Sequence, residues 1–471
     1  MNRWWTSVGA LVALAALLGA CAQPAEDELL HGGLVPVGDH SAPRGPDPSS
    51  DPSAIAEQAT EDVSAYWRET YPQVYGGEFQ ELAGFYPYGP NTDPPPCGNP
   101  PPAYEEIADN AFYCDGDDII AWDDASFIPY MNETYDGFTV AIVIAHEFGH
   151  AIQARAGAVD RTVDLELQAD CFAGAWTAWV TDGDAPSFTP DDVDLDVAVA
   201  GMIGIRDQPG TSPDEEFAHG SGFDRVTSFQ DGYENGAQGC AGYDDPDLDR
   251  DTVEVPFDPS DDTNGVEGGN MVLEDGPGAP DGIGLLTRLE TDLNLFYDEV
   301  FTELGDEWVP VDDLVLVDPD QGSIECGGER LSGDDLEFLA AYCPDENVVL
   351  LDGTRLVHAL SAIGDFAVGA EVGRLWAQAA QVQLGVSDDD EAGLQADCLT
   401  GVWSISLSDP ESTPDSDLST SPGDLDEAIG GFVLFGGERD DEVGTVFERT
   451  DALRKGYREG YHGCEDYAPL G

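Results

Sequence analysis

The chain repeats itself, and that constrains its fold more than any other feature. Leu167-Gln168-Ala169-Asp170-Cys171 returns as Leu394-Gln395-Ala396-Asp397-Cys398, and Gly174 and Trp176 return as Gly401 and Trp403. Farther along, Gly220, Phe223, Arg225, Gly232, Tyr233, Gly236 and Cys240 match Gly444, Phe447, Arg449, Gly456, Tyr457, Gly460 and Cys464 at one constant offset. Upstream, Cys97 and Cys114 stand 17 residues apart, and so do Cys326 and Cys343. So many matches in one order predict a tandem duplication. Each copy then carries four cysteines. The simplest pairing is Cys97–Cys114, Cys171–Cys240, Cys326–Cys343 and Cys398–Cys464, although four cysteines allow three connectivities within a copy. No CxxC occurs, which favours structural staples over redox chemistry. Closing the longer loops would stabilise each unit by about 2–4 kcal/mol.

In the first copy, Thr139 to Ala145 is apolar and runs without a breaker into His146-Glu147-Phe148-Gly149-His150. A buried helix is expected here, and residues four apart on a helix share a face, so His146 and His150 can hold one metal ion. Glu147 sits beside them, placed to take a proton from a metal-activated water. Val163 to Val180 reads as a second helix, closed by Thr181-Asp182-Gly183, with Ala156-Gly157-Ala158 available for the turn before it. Glu166 and Asp170 share a face of that helix. Two histidines and a glutamate form a known catalytic zinc shell, and Asp170 could orient a ligand histidine from behind.

His146 to His150, followed by Leu165-Glu166-Leu167-Gln168-Ala169-Asp170-Cys171-Phe172-Ala173-Gly174, resembles the bacterial putative neutral zinc metallopeptidase family. Asn110 to Cys114 and His219-Gly220-Ser221 also resemble that family's pattern, so the likeness covers about residues 58 to 243. The resemblance implies an α+β, zincin-like unit, with a small sheet above two ligand-bearing helices. It supplies no substrate.

Residues kept in both copies are expected to be architectural, and residues lost together from one copy chemical. Ala370-Glu371-Val372-Gly373-Arg374 is read as the counterpart of the histidine motif, Gly393 as the counterpart of Glu166, and Val443 as that of His219. The second copy is thus expected to be degenerate and inactive, with one zinc per chain. His219, lost alongside the ligands, is a candidate oxyanion donor; the alternative is a helix-capping or exposed histidine. Asp170 survives as Asp397, which points to a structural role beside any second-shell one.

The chain has 17 Lys and Arg against 96 Asp and Glu, a formal net charge of −79. Such a surface repels phosphate backbones and argues against nucleic-acid binding. Asn2 and Arg3 precede an apolar run from Val8 to Gly19, too short to span a membrane permanently. Leu18-Gly19-Ala20-Cys21 resembles the lipobox of bacterial lipoproteins, implying lipidation of Cys21 and anchoring outside the cytoplasm; a plain signal peptide is the alternative. The expected organisation is a signal peptide (1–21), a flexible tether (22–57), the metallopeptidase domain (58–243), an acidic linker (244–282) and the degenerate copy (283–471). The expected activity is zinc-dependent hydrolysis of a peptide or protein substrate. The rival reading is a non-catalytic envelope scaffold with a structural or vestigial zinc site.

Overall fold

The computed structural model describes residues 18–20, 51–158, 162–213, 215, 218–244, 252–253, 271–276, 279, 281, 283–386, 390–408 and 418–468. Cys21 and its expected lipid, the tether from 22 to 50 and most of the linker lie outside these residues. Among the described residues, no helix is long and apolar enough to cross a membrane.

The first half begins with β1 (Leu18–Ala20) and α1 (Pro52–Val74), followed by β2 (Gly84–Tyr88), a single turn α2 (Tyr104–Ile107), β3 (Ala111–Cys114) and β4 (Ile119–Asp123). Then come α3 (Phe127–Thr134), α4 (Gly137–Ala156), α5 (Thr162–Thr181), α6 (Asp192–Gly204) and α7 (Gly222–Cys240). In the sheet, β4 runs parallel to β2 and antiparallel to β3, with β1 along the outer side of β3. α1 starts six residues before the expected domain boundary at 58. The cause is a local start signal: the Asp51 side chain accepts the Ser53 N–H at 3.3 Å, and Pro52 has its φ preset for a first turn. Ile55 and Ala56 are already in the core.

The second half contains α8 (Leu285–Leu304), β5 (Asp313–Val317), a hairpin of β6 (Ser323–Cys326) and β7 (Glu329–Ser332), β8 (Ala340–Cys343) and β9 (Val348–Asp352). It ends with α9 (Leu356–Ser361), α10 (Asp365–Leu384), α11 (Asp390–Ser406), α12 (Asp424–Val443), α13 (Val446–Glu459) and α14 (Tyr461–Cys464). Here β9 is parallel to β5 and antiparallel to β8, the arrangement of β2, β4 and β3. Residues expected in the linker return to this half: the Met271 N–H donates to Asp365 Oδ2 at 2.7 Å and the Leu285 N–H to the Val272 carbonyl at 2.8 Å. The architecture is mixed α+β, helix-rich with small sheets, and one contiguous apolar cluster runs through both halves.

The glycines shared by the halves have a steric cause. A Cβ on Gly174 would sit 1.8 Å from the Phe229 carbonyl oxygen, and one on Gly232 would sit 1.8 Å from that of Cys171. α5 and α7 therefore pack backbone to backbone, and the Cys171–Cys240 disulfide ties them. Gly401 and Gly456 meet Leu453 and Cys398 in the same way between α11 and α13, which Cys398–Cys464 joins. Cys97–Cys114 and Cys326–Cys343 are the other two disulfides.

Contacts between the halves come in matching pairs. Asp426 on α12 accepts the N–H groups of Gly222 (3.0 Å) and Phe223 (2.7 Å) at the start of α7. Asp196 on α6 accepts the Phe447 N–H at 2.8 Å at the start of α13. Phe223 packs edge-on against Tyr457 with centroids 5.3 Å apart, and Phe447 against Tyr233 at 5.1 Å. Residue i meets j while the counterpart of j meets the counterpart of i, the pattern of a two-fold interface.

Beside this interface the acidic composition has an energetic consequence. Burial, reinforced by neighbouring carboxylates, pushes Asp194 and Asp424 up to about 7 and Glu427 up to about 9. In the unfolded chain such groups titrate near pH 4. Above that pH the native state holds protons that the unfolded chain has released, so stability falls as pH rises through 7 to 9. The melting temperature should accordingly be higher near pH 5 than near pH 8.5, and Asp424→Asn with Glu427→Gln should flatten that slope. An unchanged slope in the double variant would assign the effect to general charge repulsion instead.

Candidate metal centre

The two ligand-bearing helices are brought together by a glycine. A Cβ on Gly149 would lie 2.7 Å from Ala169 Cα, so α4 and α5 cross at van der Waals contact there. The crossing faces His146 and His150 toward Glu166 and Asp170. Asp136 caps α4 by accepting the Thr139 N–H at 2.7 Å, and Gly157, at φ 75°, ends it.

His146 Nε2 lies 3.1 Å and His150 Nε2 3.5 Å from Glu166 Oε2, and the three donor atoms fall within 4.8 Å of one another. Tetrahedral zinc bonds of about 2.0–2.2 Å place neighbouring donors roughly 3.3–3.6 Å apart, so the trio fits such an ion. The far ring nitrogens are engaged elsewhere. His146 Nδ1 is 2.7 Å from Asp170 Oδ1, and His150 Nδ1 is 2.9 Å from Gln153 Oε1. That fixes each ring with Nε2 toward the shared point. Gln153 in turn donates to the Leu165 carbonyl at 2.5 Å, just ahead of Glu166. Sequence reasoning missed Gln153, although its place one turn beyond His150 was a usable signal.

Asp170 serves two partners. Beyond His146 it receives Arg225 Nε at 2.9 Å and Nη2 at 3.0 Å, and Arg225 Nη1 donates to the Ile205 carbonyl at 2.9 Å. Burial acts to raise the Asp170 carboxyl, but Arg225 and His146 outweigh it and the group is held low. For Glu166, burial likewise works upward and is overcome by His150, His219 and His146, leaving it well below the usual carboxylate range. Burial would lower His150, yet Glu166 outweighs it and the imidazole is raised. Glu147 is fully buried, and its charge also favours protonated His150.

His219 is 6% exposed, which removes the exposed alternative, and the cap of α7 is Ser221, whose hydroxyl accepts the Asp224 N–H at 3.0 Å. Asp207 holds His219 at both ends: its carboxylate accepts the backbone N–H at 2.6 Å and lies 3.3 Å from Nδ1. It also accepts the Gly220 N–H at 2.8 Å. A Cβ on Gly220 would lie 3.3 Å from Leu167 and 3.5 Å from Val163, so this loop rests on α5 on either side of Glu166. Nothing in the local sequence marked Asp207.

The second half requires a correction. Gln381 Nε2 donates to the Ala392 carbonyl at 2.7 Å, as Gln153 does to Leu165. Phe366 stacks on Trp403 with centroids 5.6 Å apart, as Phe138 does on Trp176 at 5.9 Å. Gly385 ends α10 at φ 72°, as Gly157 ends α4. These anchors shift the match by one helical turn from Ala370–Arg374. The positions of His146, Glu147 and His150 are held by Arg374, Leu375 and Gln378, and Glu371 lies a turn earlier. Arg374 Nε is 3.5 Å from Asp397 Oδ1, where His146 faces Asp170, and Arg449 repeats the Arg225 contact at 2.8 Å.

Residues 96–243 match the family described as "Putative neutral zinc metallopeptidase". Uncharacterized protein Rv2575 of Mycobacterium tuberculosis is 27% identical over 200 residues, covering 37% of this chain and 64% of the relative. Uncharacterized protein YpfJ of Escherichia coli is 31% identical over 154 residues, covering 26% of this chain and 50% of the relative. The chain thus spans less than two thirds of these relatives' lengths. No solved structure matches it.

Proposed function

We propose that the first half is an exported zinc-dependent peptidase, with His146, His150 and Glu166 holding one metal ion per chain. The observation that carries this reading is the convergence of two imidazole Nε2 atoms and one carboxylate oxygen, each ring tied from behind. Zinc bound there supplies a Lewis acid for the scissile carbonyl and lowers the pKa of its water to about 7. Glu147 accepts the proton of the attacking water and returns it to the leaving amine. Asp170 and Gln153 keep both rings in the required tautomer. Metal analysis by mass spectrometry on the folded protein tests the proposal. One zinc per wild-type chain and none in a His146→Ala, His150→Ala double variant is expected; a metal-free wild type after zinc supplementation would defeat it.

His219, held by Asp207 over Glu166, shares the negative charge that develops on the carbonyl oxygen. His219→Ala should lower kcat by about 10²–10³ with bound zinc retained. A near-normal rate would return His219 to a structural role.

The chain reads best as a duplication whose second unit lost its chemistry. Arg374 supplies there a permanent positive charge beside Asp397, so that half is a structural partner without metal. The four disulfides support an oxidising compartment, in keeping with an export leader and a lipid anchor at Cys21.

A further inference from the structure

We propose that the second half acts as a positioning partner for the first, with Asp426 holding the His219 loop against the Glu166 face of α5. This rests on the peptidase reading above and assigns the metal-free half a role in it.

Asp426 is 4% exposed and belongs to α12, yet its contacts lie in the first half. Its carboxylate accepts the N–H groups of Gly222 and Phe223 and forms an ion pair with Arg206 Nε at 2.8 Å. Arg206 precedes Asp207, the residue that holds His219 and Gly220. One buried carboxylate thus grips both strands of the loop that carries His219, the strand leaving α6 at Arg206 and the strand entering α7 at Gly222. Gly222 leaves no slack: a Cβ there would lie 3.1 Å from Asp426 Oδ1 and 3.0 Å from Arg206 Cδ. The opposite side of the loop is fixed to α5, where Gly220 meets Val163 and Leu167 around Glu166. Asp426 therefore closes a frame whose other members are Asp207 and the zinc-site helix. Without it, two helix N-terminal donors and the Arg206 guanidinium lose their shared acceptor, and the loop is released at the end nearest His219.

The matching pairs at the interface provide an internal control. Asp196 makes the reciprocal contact, accepting the Phe447 N–H at the start of α13 in the second half. Loss of either carboxylate weakens the same kind of interface cap, Asp426 gripping Gly222, Phe223 and Arg206 around the His219 loop and Asp196 the start of α13.

The test compares Asp426→Asn with Asp196→Asn in the full folded chain. Initial rates are read on a quenched fluorescent peptide library, and amide hydrogen exchange on the metal-free proteins. Both variants should melt a few degrees below wild type. Only Asp426→Asn should accelerate exchange across residues 219–223 and lower kcat at unchanged KM, by at least about tenfold, because small misplacements of a transition-state contact are costly. Should Asp426→Asn not fold, Arg206→Gln removes the ion pair alone and should shift the same readouts in the same direction. Equal kcat values in the two aspartate variants, or unchanged exchange at 219–223, would overturn the proposal. If the wild type hydrolyses no peptide, the peptidase reading fails by itself, and the exchange comparison still decides whether Asp426 positions the loop.

Discussion

Glu147→Gln should retain one zinc per chain and lose about 10²–10⁴ in kcat, the usual contribution of a general base. The substitution keeps the volume and the buried hydrogen-bonding capacity of the side chain, so the α4–α5 crossing at Gly149 and Ala169 is undisturbed. It is not one of the three atoms that converge, so metal affinity should hold. What it removes is the ability to accept a proton and return it to the amine. Zinc content and initial rates on the same preparation make the comparison decisive. A variant within tenfold of wild type would take Glu147 out of proton transfer.

The largest stability effect is expected at Gly232→Ala, which should fall in the exceptional class above about 4 kcal/mol. Its new Cβ would lie 1.8 Å from the Cys171 carbonyl oxygen and 2.9 Å from the Ala175 nitrogen. Both are backbone atoms of α5, and neither can rotate away. Relief requires α5 and α7 to separate, which opens the pair around a disulfide and moves Asp170 away from Arg225. Gly157→Ala is the contrast. That glycine has φ 75° but open space around it, so only the left-handed backbone penalty of about 1–2 kcal/mol applies. Denaturant unfolding of the two variants beside wild type measures the difference. Similar costs at both positions would mean that helix contact is not what Gly232 provides.

The candidate metal cluster of the first half was legible because its signals are local. His146, Glu147 and His150 follow from one helical turn, and Glu166 and Asp170 from another, and each pair needs only the 3.6-residue period to be placed on a face. The start of α1 is equally local, written in Asp51-Pro52, but the tether-like composition of the segment before it hides the signal. The second half was misaligned by one turn for a physical reason. Glu371 and Gly373 chance to reproduce the glutamate and glycine of the histidine motif, whereas the register is set by Gln381, Phe366 and Gly385, whose meaning lies in contacts with another helix or a cap. Asp207 and Asp426 were illegible for the same reason. Their partners are 12 and more than 200 residues away, and an aspartate in a chain with 96 acidic residues carries no signal of its own.

The reciprocal contacts between Asp426 and α7 and between Asp196 and α13 have a consequence for how such a protein can change. In a pair of identical subunits every mutation is made twice, so a face that must preserve chemistry on one side is forbidden to lose it on the other. When both faces are encoded separately in one chain, that restriction disappears. On the duplication proposed above, one half can exchange a histidine for Arg374 and a glutamate for Gly393 while the other retains both, and the joint between them still fits. The covalent connection thus gives the two sides of a symmetric joint separate hereditary fates.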